Sequence, residues 1–162
     1  ALADQIKRSK YFVVNPAKIN APHQTENQEE VGARFFEGAA GGAVLVGQPP
    51  NCRAFYDNFD WEDAVVHLPY DSTNVAEVID ELEADPERVQ RIRRNNIVNC
   101  LRRHDWLYRW NTILDAVGLE RPADGLKRHA RLEKVAADIE GSTQPPAESS
   151  VARATPVDPS SV

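Results

Sequence analysis

The chain has 162 residues, enough for one domain with a buried core, and its 41% apolar and 27% charged residues are ordinary for a globular protein. Its net charge of -6 disfavours a nucleic-acid partner, because binding to a phosphate backbone requires basic surface. No apolar run approaches the roughly 20 residues of a membrane span, so we expect no transmembrane segment. Cys52 and Cys100 lie in no metal-binding pattern and are typical of reduced thiols in a cytoplasmic protein.

The chain opens with the pattern of a helix followed by a strand. Leu2 to Lys10 is predicted to be helical, and Tyr11 to Val14 is predicted to be a short buried strand. The strand ends before Pro16, because proline interrupts regular structure. The polar segment from Ala17 to Gln28 then predicts a loop. Loops that lead from strand ends into helices are where α/β folds bind ligands.

The stretch from Glu29 to Val46 carries the strongest pattern in the chain. It predicts a helix over Glu29 to Gly38, a glycine pair that ends the helix, and a second buried parallel strand over Ala43 to Val46. Glu29 and Glu37 stand eight positions apart, a little over two turns at about 3.6 residues per turn. We therefore expect both carboxylates to project from roughly one face of one helix.

The middle of the chain predicts a third strand and an amphipathic helix. Gln48 to Asp63 is aromatic but has no clear period, so we interpret it as irregular. Ala64 to Leu68 predicts a strand that ends before a proline. A helix opened by Asn74 then shows apolar residues at helical spacing and ends at Asp85.

Helices dominate the remainder. Pro86 favours a helix start, and an apolar stripe predicts one long helix from Pro86 to Val117, with a bend at His104 and Asp105. A last helix is predicted over about Asp124 to Ile139. From Ser142 onward proline, serine and threonine dominate, which predicts a disordered tail.

Together these elements predict an α/β fold that is partial and Rossmann-like, with three short parallel strands, flanking helices, a long C-terminal helix and a disordered tail. Three strands fall short of the roughly five or six of a typical doubly wound sheet. The chain also contains no methionine, including at position 1. Both observations predict a processed or truncated piece whose first βα units lie upstream.

One motif in this order resembles that of a known family. Glu29, two residues, Gly32, four residues, Glu37, then small residues to Gly42 and a hydrophobic strand resemble the donor-site motif of family 4 and CgeB-like glycosyltransferases of the GT-B fold. The preceding SKYFVVNP and the later HLPYDSTNVAEVIDELEADPERVQRIRRN are similar to the flanking segments of that family. The resemblance covers roughly Ser9 to Gly118.

The resemblance implies a role for each residue of the motif. It assigns Glu37 to the ribose hydroxyls of a nucleotide-sugar and Glu29 to the donor sugar, and spacing favours Glu29 over the adjacent Glu30. A carboxylate suits this role, since it offers only acceptor sites and can bind a vicinal diol. Free backbone N–H groups near Val31 and Gly32 can face the sugar or diphosphate. Arg34 is a candidate phosphate contact, although a lone helical arginine is more often in a surface ion pair.

The resemblance further implies the donor-binding half of a retaining, hexosyltransferase-like enzyme of polysaccharide biosynthesis. Residues 1–120 would form the C-terminal GT-B domain, 121–141 an accessory helix and 142–162 the tail. The implied ligands are a UDP-, GDP- or ADP-sugar donor and an acceptor of unknown identity, with no metal. The implied partner is an absent N-terminal GT-B domain, against which the long helix would close. No catalytic residue is assigned, because the diphosphate-clamping residues come from that half.

Other functions fit the sequence less well, with one exception. A dinucleotide site requires a glycine motif directly after a strand, whereas these glycines follow a helix. A response-regulator-like domain requires acids at the strand ends, which here carry Asn15, Gln48 and Tyr70. The two glutamates could also be ordinary solvated carboxylates. The strongest alternative is a non-catalytic GT-B-like interaction module for docking or polysaccharide assembly, which would share the fold.

Three further features have structural interpretations. The arginine-rich stretch from Arg88 to Arg103 is typical of the solvated face of a long helix. The pair His104 and Asp105 lies near no nucleophile motif, so we expect a structural hydrogen bond at a helix bend. An aromatic set is expected to fill the core rather than to cover a sugar ring. It consists of Phe55, Tyr56, Phe59 and Trp61.

Overall fold

The computed structural model describes residues 2–142, and within them the chain folds as an open three-stranded parallel sheet with helices on both faces. The predicted tail, apart from Ser142, lies outside the described residues. The strands are β1 (Tyr11–Val14), β2 (Val44–Gly47) and β3 (Val66–His67), in the order β1-β2-β3. The helices are α1 (Leu2–Arg8), α2 (Ala33–Ala40), α3 (Arg53–Asn58), α4 (Val75–Ala84), α5 (Pro86–Arg103), α6 (Trp106–Ala116) and α7 (Ala123–Gly141).

The three predicted strands are confirmed, but the prediction that β1 is buried is wrong, because only its last residue, Val14, is buried. β2 is the central strand and all its residues are buried, as expected for a strand covered on both faces. Tyr11 pairs with Val44 on one side of β2, and Val66 pairs with Val46 on the other. The third strand is shorter than predicted, with two residues in the ladder.

Two apolar clusters lie on the two faces of the sheet. The cluster under α2 and α3 contains Val14, Phe35, Ala39, Leu45, Phe55, Phe59, Ala64 and Cys100. The cluster under α4 contains Val44, Val46, Val66, Leu68, Leu82, Val89 and Ile92. Helix α5 contributes buried residues to both clusters, so it passes around the amino ends of the strands from one face to the other.

Two buried polar side chains on α5 hold the turn between α2 and β2. Arg93 donates through Nε to the carbonyl of Gly42 at 2.8 Å, and the Asn96 amide donates to the carbonyl of Ala43 at 2.9 Å. Gly42 has a positive φ of 73°, which favours glycine. A Cβ atom at Gly42 would also lie 2.6 Å from the side chain of Ile97. The α2–β2 turn is therefore fixed by close packing as well as by hydrogen bonds.

The predicted start of the second helix is wrong. Helix α2 begins at Ala33 rather than Glu29, because the N-cap residue Gly32 has an extended backbone with φ −64° and ψ 153°. Glu29 therefore lies in the loop before the helix, whereas Glu37 lies within it. The expectation that both carboxylates project from one face of one helix is incorrect.

Two other boundaries differ from the prediction. The segment from Gln48 to Asp63 contains the short helix α3 and is not entirely irregular. The predicted long helix is two helices, α5 and α6, which separate at the expected bend. They separate because Asp105 has an extended backbone, with φ −62° and ψ 144°, and its carboxylate accepts the Leu107 N–H at 3.0 Å.

Candidate functional site

The carboxyl ends of the strands are linked by side-chain amides. The Asn15 side chain accepts the backbone N–H of Gln48 at 3.1 Å, and the Gln48 side chain accepts the backbone N–H of Tyr70 at 3.2 Å. Gly47 is required between them, since a Cβ there would lie 1.7 Å from the carbonyl oxygen of Val14. These bonds join the residues that follow all three strands, so this edge of the sheet is held in one arrangement.

Glu29 lies beside this edge. Its carboxylate is exposed and accepts the backbone N–H of Asn51 at 2.5 Å. Asn51 in turn accepts the hydroxyl of Tyr56 at 3.2 Å. The loop before α2 is therefore connected to the loop that follows β2, and the bond uses one of the two carboxylate oxygens of Glu29.

Val31, Gly32 and Arg34 lie together at the N-terminus of α2. No side chain caps this end, and its first turn contains no acidic residue. Val31 packs against the apolar cluster, while Arg34 is exposed. A Cβ at Gly32 would have no neighbour within 4 Å, so the space next to this N-terminus is open. Free N–H groups, a cation and open space favour the approach of an anion.

Glu37 is exposed on α2, between two hollows. One hollow of about 280 Å³ lies between α1 and α2, and Glu37, Leu2 and Lys7 line it. The other, of about 290 Å³, lies between α2, α5 and α6. The Glu37 carboxylate makes no hydrogen bond or ion pair with other residues in the range 2–142. It is therefore available to a ligand from either side.

His104 lines the second hollow and has a structural role. It contacts the rings of Phe36, Phe59 and Trp61 at centroid distances of 5.1, 5.6 and 6.1 Å. Its Nε2–H donates to the carbonyl of Asn58 at 2.9 Å. Burial lowers the pKa of His104, and the positive charge of Arg103 lowers it further. The predicted structural hydrogen bond at this bend is confirmed.

The aromatic set divides between core and surface. Phe55 and Phe59 are buried and stack with centroids 5.3 Å apart, and Trp61 packs against their cluster. Tyr56 is exposed and reaches Asn51. The prediction that these residues fill the core is confirmed for the first three and wrong for Tyr56.

The structure places the predicted residues at three positions. Val31, Gly32 and Arg34 form the N-terminus of α2, and Glu37 lies about 7 Å further along the axis at about 1.5 Å per residue. Glu29 is held apart by its bond to Asn51. Sequence reasoning missed Arg109, whose guanidinium lies over Phe36 beside the second hollow. The available signal in the sequence was that Arg109 stands three residues after Trp106, a spacing that places two side chains next to each other on a helix.

The comparisons with known proteins agree with this architecture. Residues 1–115 match the model of a family described as glycosyl transferase-like. The chain belongs to this glycosyl transferase-like family, which supports glycosyl transfer as its general function and a transferase as its enzyme class. Searches of curated proteins and of solved structures each give no significant match.

Within residues 2–142, no three His, Cys, Asp or Glu side chains lie close enough together to hold a metal ion. In the same range, no helix has the length and apolar character needed to cross a membrane.

Proposed function

We propose that the chain supplies the donor-binding half of a GT-B glycosyltransferase, which transfers a sugar from a nucleoside diphosphate sugar to an acceptor hydroxyl. Retention of configuration and preference for a hexose follow from the resemblance to family 4 and CgeB-like enzymes. The observation that carries the proposal is the N-terminus of α2, which lacks a side-chain cap and an acid and lies in a domain of the glycosyl transferase-like family.

The charge distribution around α2 supports a diphosphate ligand. The dipole of a helix is equivalent to roughly half a positive charge at its N-terminus, and Arg34 adds a full charge in the first turn. An acidic residue in the first turn would offset this positive charge, but the first turn of α2 contains none. The uncompensated charge raises the free energy of the unliganded state. A diphosphate would supply the compensating negative charge without requiring a metal. We therefore expect donor binding to be independent of divalent cations.

The two glutamates have separate roles in this proposal. Glu37 accepts the ribose hydroxyls, for which its exposed carboxylate has both oxygens available. Glu29 accepts hydroxyls of the donor sugar with the oxygen that does not face Asn51. Because the Asn51 N–H already fixes the Glu29 carboxylate, binding requires little further ordering of that side chain.

The exposed face of α6 supports a second domain as partner. Trp106, Trp110, Ile113 and Val117 recur at helical spacing and are 71%, 58%, 51% and 61% exposed. An apolar stripe of this size favours contact with another protein surface. We assign it to the N-terminal GT-B domain implied by the resemblance, and we place the enzyme in the cytoplasm.

The same apolar stripe supports a second candidate function. A non-catalytic module that docks through α6 would have the same fold and the same exposed face. The two functions differ in donor affinity, which only the transferase requires.

Ligand-observed NMR tests the proposal. We expect saturation transfer from the full chain to the ribose protons of at least one of UDP-, GDP- and ADP-sugars. Glu37→Gln should weaken this binding by about 1–3 kcal/mol, the range for removing a charged hydrogen-bond partner, with little change in thermal stability. Glu77→Gln is the matched control, because Glu77 is also an exposed helical glutamate and lies on α4.

Three outcomes are informative. Loss of transfer in Glu37→Gln alone supports the donor site. Equal transfer in both variants contradicts the role of Glu37. No transfer from any nucleotide sugar, with the folded state intact, favours the docking module.

A further inference from the structure

Arg109 lies beside the hollow that Glu37 lines. Its guanidinium carbon is 5.6 Å from the ring centroid of Phe36 and 5.6 Å from that of Trp106. Phe36, Trp106 and Glu37 all line the hollow of about 290 Å³ between α2, α5 and α6. Glu37 belongs to the lining of this hollow, and the Arg109 guanidinium lies against two of the aromatic residues that line it, so a carboxylate and a cation from different helices lie near one concave surface.

The ring contacts fix the guanidinium without using its hydrogen-bond donors. A cation over an aromatic face is stabilised by the ring quadrupole, and the five N–H groups of arginine stay available in the plane of the group. This arrangement suits the planar recognition of phosphate oxygens, for which arginine is the preferred side chain.

Arg109 differs from neighbouring arginines in its charge balance. Arg103 pairs with Asp60, Arg121 with Asp115 and Arg128 with Asp105. Arg109 has no carboxylate partner within residues 2–142.

Asp105 also lines the hollow, but it does not oppose an anion there. Its carboxylate accepts two hydrogen bonds from Arg128, at 2.9 and 2.6 Å, and one from the Leu107 N–H. The negative charge of Asp105 is therefore compensated locally, and the positive charge of Arg109 is not.

We propose that Arg109 binds the diphosphate group of the ligand whose ribose hydroxyls Glu37 accepts, so that α6 forms part of the donor site. This inference rests on the proposed function for the identity of the ligand. The ring contacts with Phe36 and Trp106 hold the guanidinium in place before the ligand arrives. Helix α6 thereby adds a second cation to the one that Arg34 supplies at the N-terminus of α2.

The test compares diphosphates with the matching nucleosides. Affinities of the full chain for UDP, GDP, ADP, the three nucleosides and inorganic pyrophosphate are measured by titration calorimetry. We expect Arg109→Gln to weaken diphosphate binding by at least about tenfold and to leave nucleoside binding unchanged, since a nucleoside has no phosphate. Arg121→Gln is the control, because it removes the same charge from an exposed arginine near the end of the same helix.

Each outcome separates this inference from the proposed function. Equal affinity of the wild type and Arg109→Gln for a bound diphosphate overturns the role of Arg109 and leaves the function intact. Pyrophosphate binding that Arg109→Gln abolishes, with no nucleotide bound, supports the anion site and overturns the nucleotide donor. Absence of all binding overturns both. Thermal unfolding of each variant excludes a loss caused by misfolding.

Discussion

Asn96 joins three parts of the molecule through one buried side chain. It is fully buried, donates to the carbonyl of Ala43 and accepts the indole N–H of Trp61 at 2.8 Å. Ala43 is fully buried and Trp61 is half-buried. The amide is therefore required by two groups that no apolar side chain could satisfy.

We predict that Asn96→Ala lowers the free energy of unfolding by about 2–4 kcal/mol, because it leaves the buried carbonyl of Ala43 and the half-buried indole N–H of Trp61 without partners. Urea unfolding monitored by circular dichroism would measure the change. Asn99→Ala is the control, since Asn99 lies on the same helix and bonds only to the carbonyl of Asn95. A similar loss in both variants would indicate that α5 is sensitive to alanine rather than to the lost bonds.

The sequence predicts the role of a single residue only where a local pattern along the chain carries the information. Gly32 and Glu37 were predicted as site residues because spacing along the chain is visible in the sequence, and their roles stay predictions. Arg109 was not, because its contact with Phe36 joins positions that are distant in the sequence. The bond from Glu29 to Asn51 was missed for the same reason.

At the scale of elements, the junction between α5 and α6 depends on Asp105. Its carboxylate caps α6 through the Leu107 N–H and pairs with Arg128 on α7. The hydrogen bonds from Arg128 are the main cause that lowers the pKa of Asp105. The side chain of Asp105 thus caps the start of α6 and links α7 to it through an ion pair.

Asp105→Ala should destabilise the chain by about 1–2 kcal/mol, the sum of an N-cap and a partly exposed ion pair. Asp105→Asn should cost less, because its amide oxygen can still accept the Leu107 N–H. Chemical denaturation gives both values. Asp124→Ala serves as the comparison, since Asp124 is 91% exposed at the start of α7 and should change stability by less than about 0.5 kcal/mol. Equal losses at the two positions would contradict the capping role.

Element boundaries were less predictable than element types. The apolar runs predicted all three strands, although only β2 is buried along its whole length, as a parallel strand covered on both faces should be. Helix α3 was missed because it is six residues long and buries only Phe55, so the segment shows no apolar period. The start of α2 was misplaced because Glu29 and Glu30 favour a helical first turn, whereas the extended backbone of Gly32 delays it.

At the scale of the whole molecule, stability should depend on pH through His104. Its pKa is lowered by burial, so the folded chain binds this proton less readily than the unfolded chain. The contribution of His104 to stability is therefore fully present above about pH 6.5, the pKa of histidine in the unfolded chain. This contribution is lost as the pH falls from there towards the pKa of His104 in the folded chain.

We expect the free energy of unfolding to fall between pH 7.5 and pH 5.5 in the wild type and to change less in His104→Gln. Urea titrations across this range would measure both. His67→Gln provides the control, because His67 is exposed on β3. An unchanged pH dependence in His104→Gln would exclude His104 as its source.

The overall topology could be predicted only in part. Buried strands that alternate with helices indicated a parallel sheet, and the resemblance indicated its family. The passage of α5 around the amino ends of the strands was not visible, because it depends on where Arg93 and Asn96 find their partners.

The path of α5 around the amino ends of the strands constrains which substitutions the protein can accept. Helix α5 places Val89 and Ile92 in one cluster and Cys100 in the other, whereas α4 contributes Leu82 to one cluster alone. A substitution on α5 that preserves packing in one cluster must also keep the helix in a position from which it can pack into the other cluster. Homologues should therefore tolerate variation on α4 more readily than on α5, and α5 should preserve a record of common ancestry after the loops have diverged.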